Sequence, residues 1–375
     1  MLSTLDWKNS EDSRDIVHIV VQALVEGRLV VLPADTGYHL VASGLRDQYL
    51  PHWRQLTQND QIGTSSLLLR SPQELLDYAV SLSPVASRMS SRGWPGPLVM
   101  ELKTDQHRSL MSQLPDQVRP LVEQAGFSRY RVATHEVLRQ ALRLMLGPLL
   151  AAPIKHLGRP LHSLGSPLKL PGVSIVVNDG PTIHEDYSTI VRVDQNCCSV
   201  TSSGVVVGDG LHRLAQFVVL LVCTGNTCRS PMAEVILRDK LVQRFGSPQA
   251  AQQAAYVGSA GLSAFPGGPA SIEAQAVVAQ RGLSLQEHQS HSVTAHSLQQ
   301  ADLILTMTRA HRAGIVELMP EVAGKVHLVS GGSSDVSDPF GGSEAVYSAC
   351  AEQIDRFLDQ WLERLDDSVF PVWNS

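Results

Sequence analysis

Phe217-Val218-Val219-Leu220-Leu221-Val222-Cys223-Thr224-Gly225-Asn226-Thr227-Cys228-Arg229-Ser230-Pro231 begins as an apolar run, breaks into a short polar loop and ends in helix-start residues. A short apolar run bounded by turn-forming residues reads as a buried strand. Ser230-Pro231 opens a helix, because proline tolerates the first helical turn and serine can cap it. A loop that ends at a helix N-terminus presents backbone amides to an anion. Helix N-termini and neighbouring cations also favour the thiolate form of a cysteine, the nucleophilic one. Arg229, six positions after Cys223, brings a planar fork suited to a phosphoryl group back to the same loop. The stretch therefore describes a thiolate inside a phosphate cradle. A cysteine and an arginine at this spacing mean little alone; set between an apolar strand and an amphipathic helix they are a specific signal.

From that strand the pattern continues to the end of the chain. Helices are expected at 231–245, 270–281, 309–318 and 342–365, with strands near 256–258, 303–306 and 326–329. Alternating strands and helices imply a parallel sheet with helices on both faces. Toward the N-terminus, 15–26 has helical spacing and stops at Gly27, and Arg28 to Leu32 reads as a buried strand stopped by Pro33. Helices are expected at 72–91 and 136–146, strands at 98–102 and 173–177, and a hairpin within 189–207. The segment 208–216 reads as a junction, which places one domain at 1–212 and a second at 213–375. A chain of 375 residues has room for two domains.

Hydrophobic residues make up 43 % and charged residues 18 %, which fits a globular chain and excludes a disordered one. Residues 1–212 carry 19 Lys/Arg against 20 Asp/Glu and residues 213–375 carry 11 against 16, so neither half has the basic excess of a general nucleic-acid binder. Arg129, Arg131, Arg139 and Arg143 lie close together and read as a solvated helix face. Five unevenly spaced cysteines point away from a disulfide framework and toward a reducing compartment. The apolar run 217–223 is far too short to span a membrane. With no signal-peptide core, the expectation is a cytoplasmic protein without membrane association. The 14 histidines are scattered; no ligand spacing suggests a metal or other cofactor, and His288, His291 and His296 read as part of a polar loop or helix face.

Residues 223–234, CTGNTCRSPMAE, resemble the signature of the low-molecular-weight protein tyrosine phosphatase family, and the resemblance extends over 217–375 through GSAG (258–261), ADLILTMT (301–308) and SDPFGG (337–342). It implies that Cys223 is the nucleophile, Arg229 the phosphoryl clamp and Asp338, in Asp338-Pro339-Phe340, the general acid. Thr224, Gly225, Asn226, Thr227, Cys228 and Ser230 complete the phosphate-binding loop. Asn226 is then expected to shape the loop and Ser230 to hydrogen-bond the thiolate. Cys228 stands where some relatives have a redox partner of the nucleophile; it reads equally as a small loop residue. Thr227, in place of a bulky aliphatic residue, and Phe340 followed by Gly341-Gly342 resemble the protein-arginine phosphatase branch. The implied substrate is a phosphorylated protein side chain, phosphoarginine first and phosphotyrosine close behind. Arsenate reduction on the same scaffold needs downstream cysteines, and only Cys350 follows.

Residues 15–207 resemble the YrdC-like family of threonylcarbamoyl-AMP synthases through ALVEGRLVVLPADTGYHLVA (23–42), RGWPGPLVMEL (92–102), RVATHEVL (131–138), GPLLAAP (147–153) and YSTIVRV (187–193). The resemblance implies a twisted-sheet α/β domain around an open cavity. The functional positions depart from the family: Pro33-Ala34-Asp35-Thr36 stands for Pro-Thr-Asp/Glu-Thr, 53–66 lacks a Lys-x-Arg-Pro element, and Pro153-Ile154-Lys155 stands where Ser-x-Asn is expected. Arg131 and Ser188-Thr189 are retained. The expectation is a degenerate domain that stabilises the phosphatase or keeps its cavity for a nucleotide, an RNA or a protein; the alternative is a bifunctional or regulatory protein whose first half binds nucleotide or RNA, or makes threonylcarbamoyl-AMP for tRNA modification.

Overall fold

The computed structural model describes residues 2–79, 81–104, 109–165 and 170–374. The chain divides into two compact units, Met1–Leu214 with Val372–Ser375, and Ala215–Pro371.

In the second unit, the strand Phe217–Cys223 lies between Ala255–Gly261 and Leu303–Thr306, and Val326–Leu328 forms the outer edge beyond Leu303–Thr306. All three pairings are parallel, and Cys223 aligns with Gly261 at the carboxyl end. The strand period of two sorts the side chains of Phe217–Cys223 onto two faces. Phe217, Val219, Leu221 and Cys223 enter a core with the helices Arg229–Phe245, Ile272–Ala279 and Glu344–Arg364. Leu220 and Val222 enter the opposite core, with Leu298 of Ala295–Gln300 and Ile315 of Arg309–Leu318. The parallel sheet with helices on both faces is as its sequence pattern implies. Helix Arg229–Phe245 ends at Gly246 in the left-handed conformation, φ +79°.

The first unit is a mixed sheet in the order Ser3–Asp6, Val173–Asn178, Leu29–Ala34, Gly37–Ser43, Leu149–Pro153, Ser66–Leu68, Phe127–Arg131, Leu98–Lys103, Thr189–Asp194, Cys197–Ser202, Val372–Trp373. The last strand departs from the expected division at 212/213. Val372–Trp373 pairs in parallel with Cys197–Cys198, so the tail of the chain belongs to the first unit. The segment 208–216, read as a junction, contains the helix Gly208–Ala215.

Pro33 does not stop its strand. It sits within Leu29–Ala34 opposite Tyr38, in an antiparallel pair with Gly37–Ser43. The helix expected over 72–91 is broken: a short turn and helix end at Tyr78, and Pro84, capped by Ser83, starts a new helix to Gly93. The four arginines do not share a helix face. Arg129 and Arg131 are buried on the strand Phe127–Arg131, Arg129 paired with Glu101 and Arg131 with Asp35; only Arg139 and Arg143 lie on the helix Glu136–Leu144. Among the described residues no helix is long and apolar enough to cross a membrane.

Candidate active site

Cys223 ends its strand and is 2 % exposed. The chain turns through 224–228 and enters the helix at Arg229. The pivot of the loop is Asn226, fully buried, with φ +55°. Asparagine tolerates that left-handed conformation better than most side chains do. Its amide is fully engaged: Nδ2 donates to Ser230 Oγ at 2.9 Å and Ser259 Oγ at 2.8 Å, and Oδ1 accepts from the His291 backbone N–H at 2.8 Å. Its backbone N–H donates to Cys223 Sγ at 3.3 Å, and Ser230 Oγ lies 3.0 Å from the same sulfur. The sulfur therefore faces a backbone donor and a hydroxyl. Ser259 in turn donates to Glu234, which is paired with Arg238, so a chain of polar side chains backs the loop.

Gly261 closes the loop from below. A Cβ there would stand 2.5 Å from Thr224 O and 2.9 Å from Asn226 N, both backbone atoms, so only glycine lets the neighbouring strand end approach this closely.

Arg229 is buried at the start of the helix and reaches the late loop. Nη2 donates to Asp338 Oδ2 at 2.7 Å and Nη1 to Val336 O at 3.3 Å. Asp338 is half-exposed, and its Oδ1 accepts from Phe340 N at 3.3 Å. Phe340 is 80 % exposed, and Gly341 follows with φ +76°. The nucleophile candidate, the clamp and the acid candidate, which lie far apart in sequence, are thus gathered at one end of the sheet.

Cys228 Sγ lies against Tyr347 OH at 3.3 Å and Ser271 Oγ at 3.5 Å, and Thr227 Oγ1 is 3.6 Å from it. All five cysteines are unpaired. Thr224 is exposed, and its hydroxyl lies 2.8 Å from His311 Nε2. Burial, then the Arg229 charge, hold the His311 imidazole below its ordinary pKa, which keeps it neutral. A Cβ at Gly225 would meet Thr227 Oγ1 at 3.5 Å, an ordinary van der Waals contact.

Sequence reading missed His311, Tyr347, Ser259 and Glu234. His288 and His291 lie in a loop, as read, and from there they serve the Cys223 loop: His288 Nε2 donates to Asn226 O at 2.8 Å, and the backbone N–H of His291 donates to Asn226 Oδ1 at 2.8 Å. Only the strand-end position of the GSAG segment, beside the Cys223 strand, hinted at this second layer.

In the first unit a cavity of about 420 Å3 is lined by Thr36, His39, Arg131, Lys155 and Ser188, among others. Arg131, 1 % exposed, pairs with Asp35 and donates to Thr36 Oγ1 at 3.1 Å. Thr36 meets Ser188 Oγ at 2.9 Å. Arg131 Nη1 lies 3.2 Å from His39 Nε2, and His39 Nδ1 lies 3.1 Å from Gly37 O. A guanidinium only donates and a carbonyl only accepts, so His39 is neutral with its proton on Nδ1. Burial first and Arg131 second push its pKa down to about 3. Arg131 Nε and Asp35 Oδ2 have no protein partner. Lys155, where the family motif is missing, is paired with Asp60 at 2.5 Å.

Residues 218–369 match the model of the family described as low molecular weight phosphotyrosine protein phosphatase, and residues 22–203 match that of the Sua5, YciO and YrdC family, described as telomere recombination. A protein-arginine-phosphatase of Geobacillus stearothermophilus is 36 % identical over 151 residues, which cover 39 % of this chain and 95 % of that protein. The low molecular weight protein-tyrosine-phosphatase Wzb of Salmonella typhimurium is 35 % identical over 150 residues, covering 40 % and 93 %. A protein-arginine-phosphatase of Bacillus subtilis is 34 % identical, covering 39 % and 95 %.

Proposed function

Through residues 218–369 the chain belongs to the low molecular weight protein-tyrosine phosphatase family, and on that premise we propose that it is a cysteine-dependent phosphatase of phosphorylated protein side chains, with phosphoarginine favoured and phosphotyrosine close behind. The observation that carries this reading is the surroundings of Cys223 Sγ: the Asn226 N–H at 3.3 Å, the Ser230 hydroxyl at 3.0 Å, and Arg229 bridging from the same loop to Asp338 at 2.7 Å.

In the first step the Cys223 thiolate attacks phosphorus in line. The S–P bond forms as the bond to the leaving nitrogen or oxygen breaks, and Asp338 gives that atom its proton. Arg229 and the loop N–H groups stabilise the equatorial oxygens as charge spreads over them. In the second step water attacks the phosphocysteine and gives a proton to Asp338. Phosphate leaves and the thiolate is restored. Both steps need Asp338 to part from Arg229 far enough to meet the leaving group, and its half-exposed position allows that. Thr227 beside the loop and Phe340 at its mouth are the residues we assign to substrate choice. Cys228, whose sulfur meets Tyr347, is assigned to the loop wall and, under oxidation, to pairing with Cys223.

The test is phosphate release by the full chain from matched phosphoarginine and phosphotyrosine peptides, with Cys223→Ser as control. Turnover that Cys223→Ser abolishes is expected, larger on phosphoarginine. A phosphotyrosine preference would discard the roles given to Thr227 and the glycines after Phe340; turnover unchanged in Cys223→Ser would discard the mechanism.

A second reading concerns the first unit. The buried, partly unpartnered Arg131–Asp35 pair beside a cavity of about 420 Å3 supports small-ligand binding there. Its two cations, Arg131 and Lys155, are already engaged by carboxylates, which works against a triphosphate and against RNA. Calorimetry with ATP and with threonine, in the native chain and in Arg131→Gln, decides between a binding unit and a purely structural one.

A further inference from the structure

The unit Ala215–Pro371 is acidic, with 10 Lys/Arg against 16 Asp/Glu. Three of those ten cations nevertheless line one open cleft of about 520 Å3 that contains no residue of the Cys223 loop. Arg309 begins the helix Arg309–Leu318, Arg312 lies one turn further on, and Arg364 ends the helix Glu344–Arg364. Of the seven cations outside the cleft, Arg229, Arg238, Lys240, Arg244 and Arg281 are each matched by a carboxylate, Lys325 donates to the carbonyls of Gln299 and Ala301, and Arg356 has no ion pair among the described residues. In the cleft only Arg309 is matched, by Asp335 at 3.4 Å, and it also donates to Gly332 O at 3.3 Å. Arg312 donates through Nε to Val326 O at 3.1 Å, and the Arg364 guanidinium lies 6.0 Å from the centre of the Trp361 ring. No carboxylate among the described residues is paired with either of these two.

The floor and rim are built for that surplus. Trp361 is fixed by its indole N–H on Val329 O at 2.9 Å. Gly331 and Gly332 hold φ +67° and +105°, and the Arg364 guanidinium lies over Gly331, its Nη1 2.8 Å from where a Cβ would stand. Uncompensated guanidiniums at an open cleft select anionic groups, carboxylate or phosphoryl.

The place of the cleft selects the source of the anion. Arg309 and Gly332 follow the carboxyl ends of their strands, the same end of the parallel sheet as Cys223. The short stretch from Gly332 through Asp335 leads directly to Asp338. Exposed arginines bind a free small anion weakly, since a solvated ion pair contributes at most about 1 kcal/mol. An anion on a chain already held by its phosphorylated residue meets them at a far higher effective concentration. We propose that the cleft is a second anion subsite, which takes an acidic side chain of the polypeptide whose phosphorylated residue enters the Cys223 loop. The inference rests on the phosphatase reading.

The test uses the full chain with two phosphopeptides that differ only in a flanking run of Glu or Gln, with p-nitrophenyl phosphate as a third substrate. Native protein is expected to show about a fivefold higher kcat/KM on the Glu peptide, carried by KM. Arg312→Gln combined with Arg364→Gln brings that ratio to about one, as does raised salt, and leaves p-nitrophenyl phosphate turnover unchanged. No preference in the native protein, a preference that survives in the double variant, or an equal loss on p-nitrophenyl phosphate overturns the proposal. So does a saturable effect of free citrate on p-nitrophenyl phosphate turnover that the double variant lacks, which would mark a small-molecule site. Should no substrate turn over, the phosphatase reading fails separately. Fluorescence anisotropy of a labelled Glu-rich peptide then decides the cleft: binding lost in the double variant supports it, and no binding overturns it.

Discussion

Asn226 combines two demands that most side chains cannot meet together, and replacing it in two ways separates them. At φ +55° an alanine carries a backbone cost of about 1 kcal/mol that glycine avoids. Either residue loses the hydrogen bonds to Ser230, Ser259 and the His291 N–H. At about 1 kcal/mol each these amount to roughly 3 kcal/mol, less whatever Ser259 recovers through Glu234. Asn226→Gly is therefore expected to lose about 2–3 kcal/mol of local stability and Asn226→Ala about 1 kcal/mol more. With two units in one chain, a single unfolding midpoint would mix them, so the assay is hydrogen exchange resolved to the peptide covering 217–223. Both variants keep the backbone N–H that residue 226 directs at Cys223, so the kinetic cost comes from losing the loop geometry its side chain holds: each should lose on the order of 100-fold in kcat/KM. Equal protection in the two variants would refute the backbone part of the reasoning. Native protection in Asn226→Gly would refute the side-chain part.

Gly261→Ala pushes a methyl group against two backbone atoms of the loop and is expected to lower kcat/KM about 100-fold on every substrate, while exchange in the first unit stays native. Phe340→Ala removes an exposed ring and should leave stability within about 0.5 kcal/mol while lowering kcat/KM several-fold on the preferred phosphopeptide; an unchanged value would remove Phe340 from the substrate contact. His39 is neutral in the folded first unit, with its pKa down at about 3, and it protonates at about 6.5 when unfolded. The unfolded chain therefore binds more protons throughout that window. The His39 contribution is complete above pH 6.5 and is lost as pH falls toward 3, at about 1.4 kcal/mol per unit. Exchange at 37–43 measured against pH should flatten over this window in His39→Gln, and an unchanged slope would assign the pH dependence elsewhere.

The second unit was legible because its signals are local. A seven-residue apolar strand, a loop of fixed spacing and a helix start all lie within fifteen residues, and each later strand is separated by a helix of recognisable period. The support of the loop was not legible, because it is made by residues brought in from three other segments. Ser259, His288, His291 and His311 have no spacing relation to Cys223, and their hydrogen bonds exist only once the parallel register is set. The first unit was legible in part: the helices near 15–26 and 136–146, the strands near 28–32, 98–102 and 173–177 and the hairpin within 189–207 are present, but how its strands pair was not readable. Its strands pair over long separations, such as Gly37–Ser43 with Leu149–Pro153, and short runs like Ser66–Leu68 carry no period of their own. Arg129 and Arg131 show the same limit, since a charged residue on a strand reads as solvated until its buried partners, Glu101 and Asp35, are found across the sheet.

The two arginines that anchor the two sites make a physical contrast. Arg131 is closed in on a carboxylate that is itself 2 % exposed, so separating that pair leaves a buried charge uncompensated, at a cost of about 3–5 kcal/mol. Arg229 is also buried, but its partner Asp338 is 54 % exposed and can hydrate as it turns away. Asp338 is therefore free to exchange Arg229 for a substrate atom, whereas Asp35 is bound to Arg131 as part of the wall. A ligand of the first unit would have to bind without displacing that pair. Arg229→Lys and Arg131→Lys separate the cases. The first should keep exchange protection in its unit within about 1 kcal/mol and lose most phosphatase turnover, because a point charge replaces the planar fork. The second should cost stability first, seen as lost protection at 127–131, with phosphatase turnover retained. Protection lost in Arg229→Lys as deeply as in Arg131→Lys would show that the Asp338 pair is structural, and would take from Asp338 the mobility that the proposed role as acid requires.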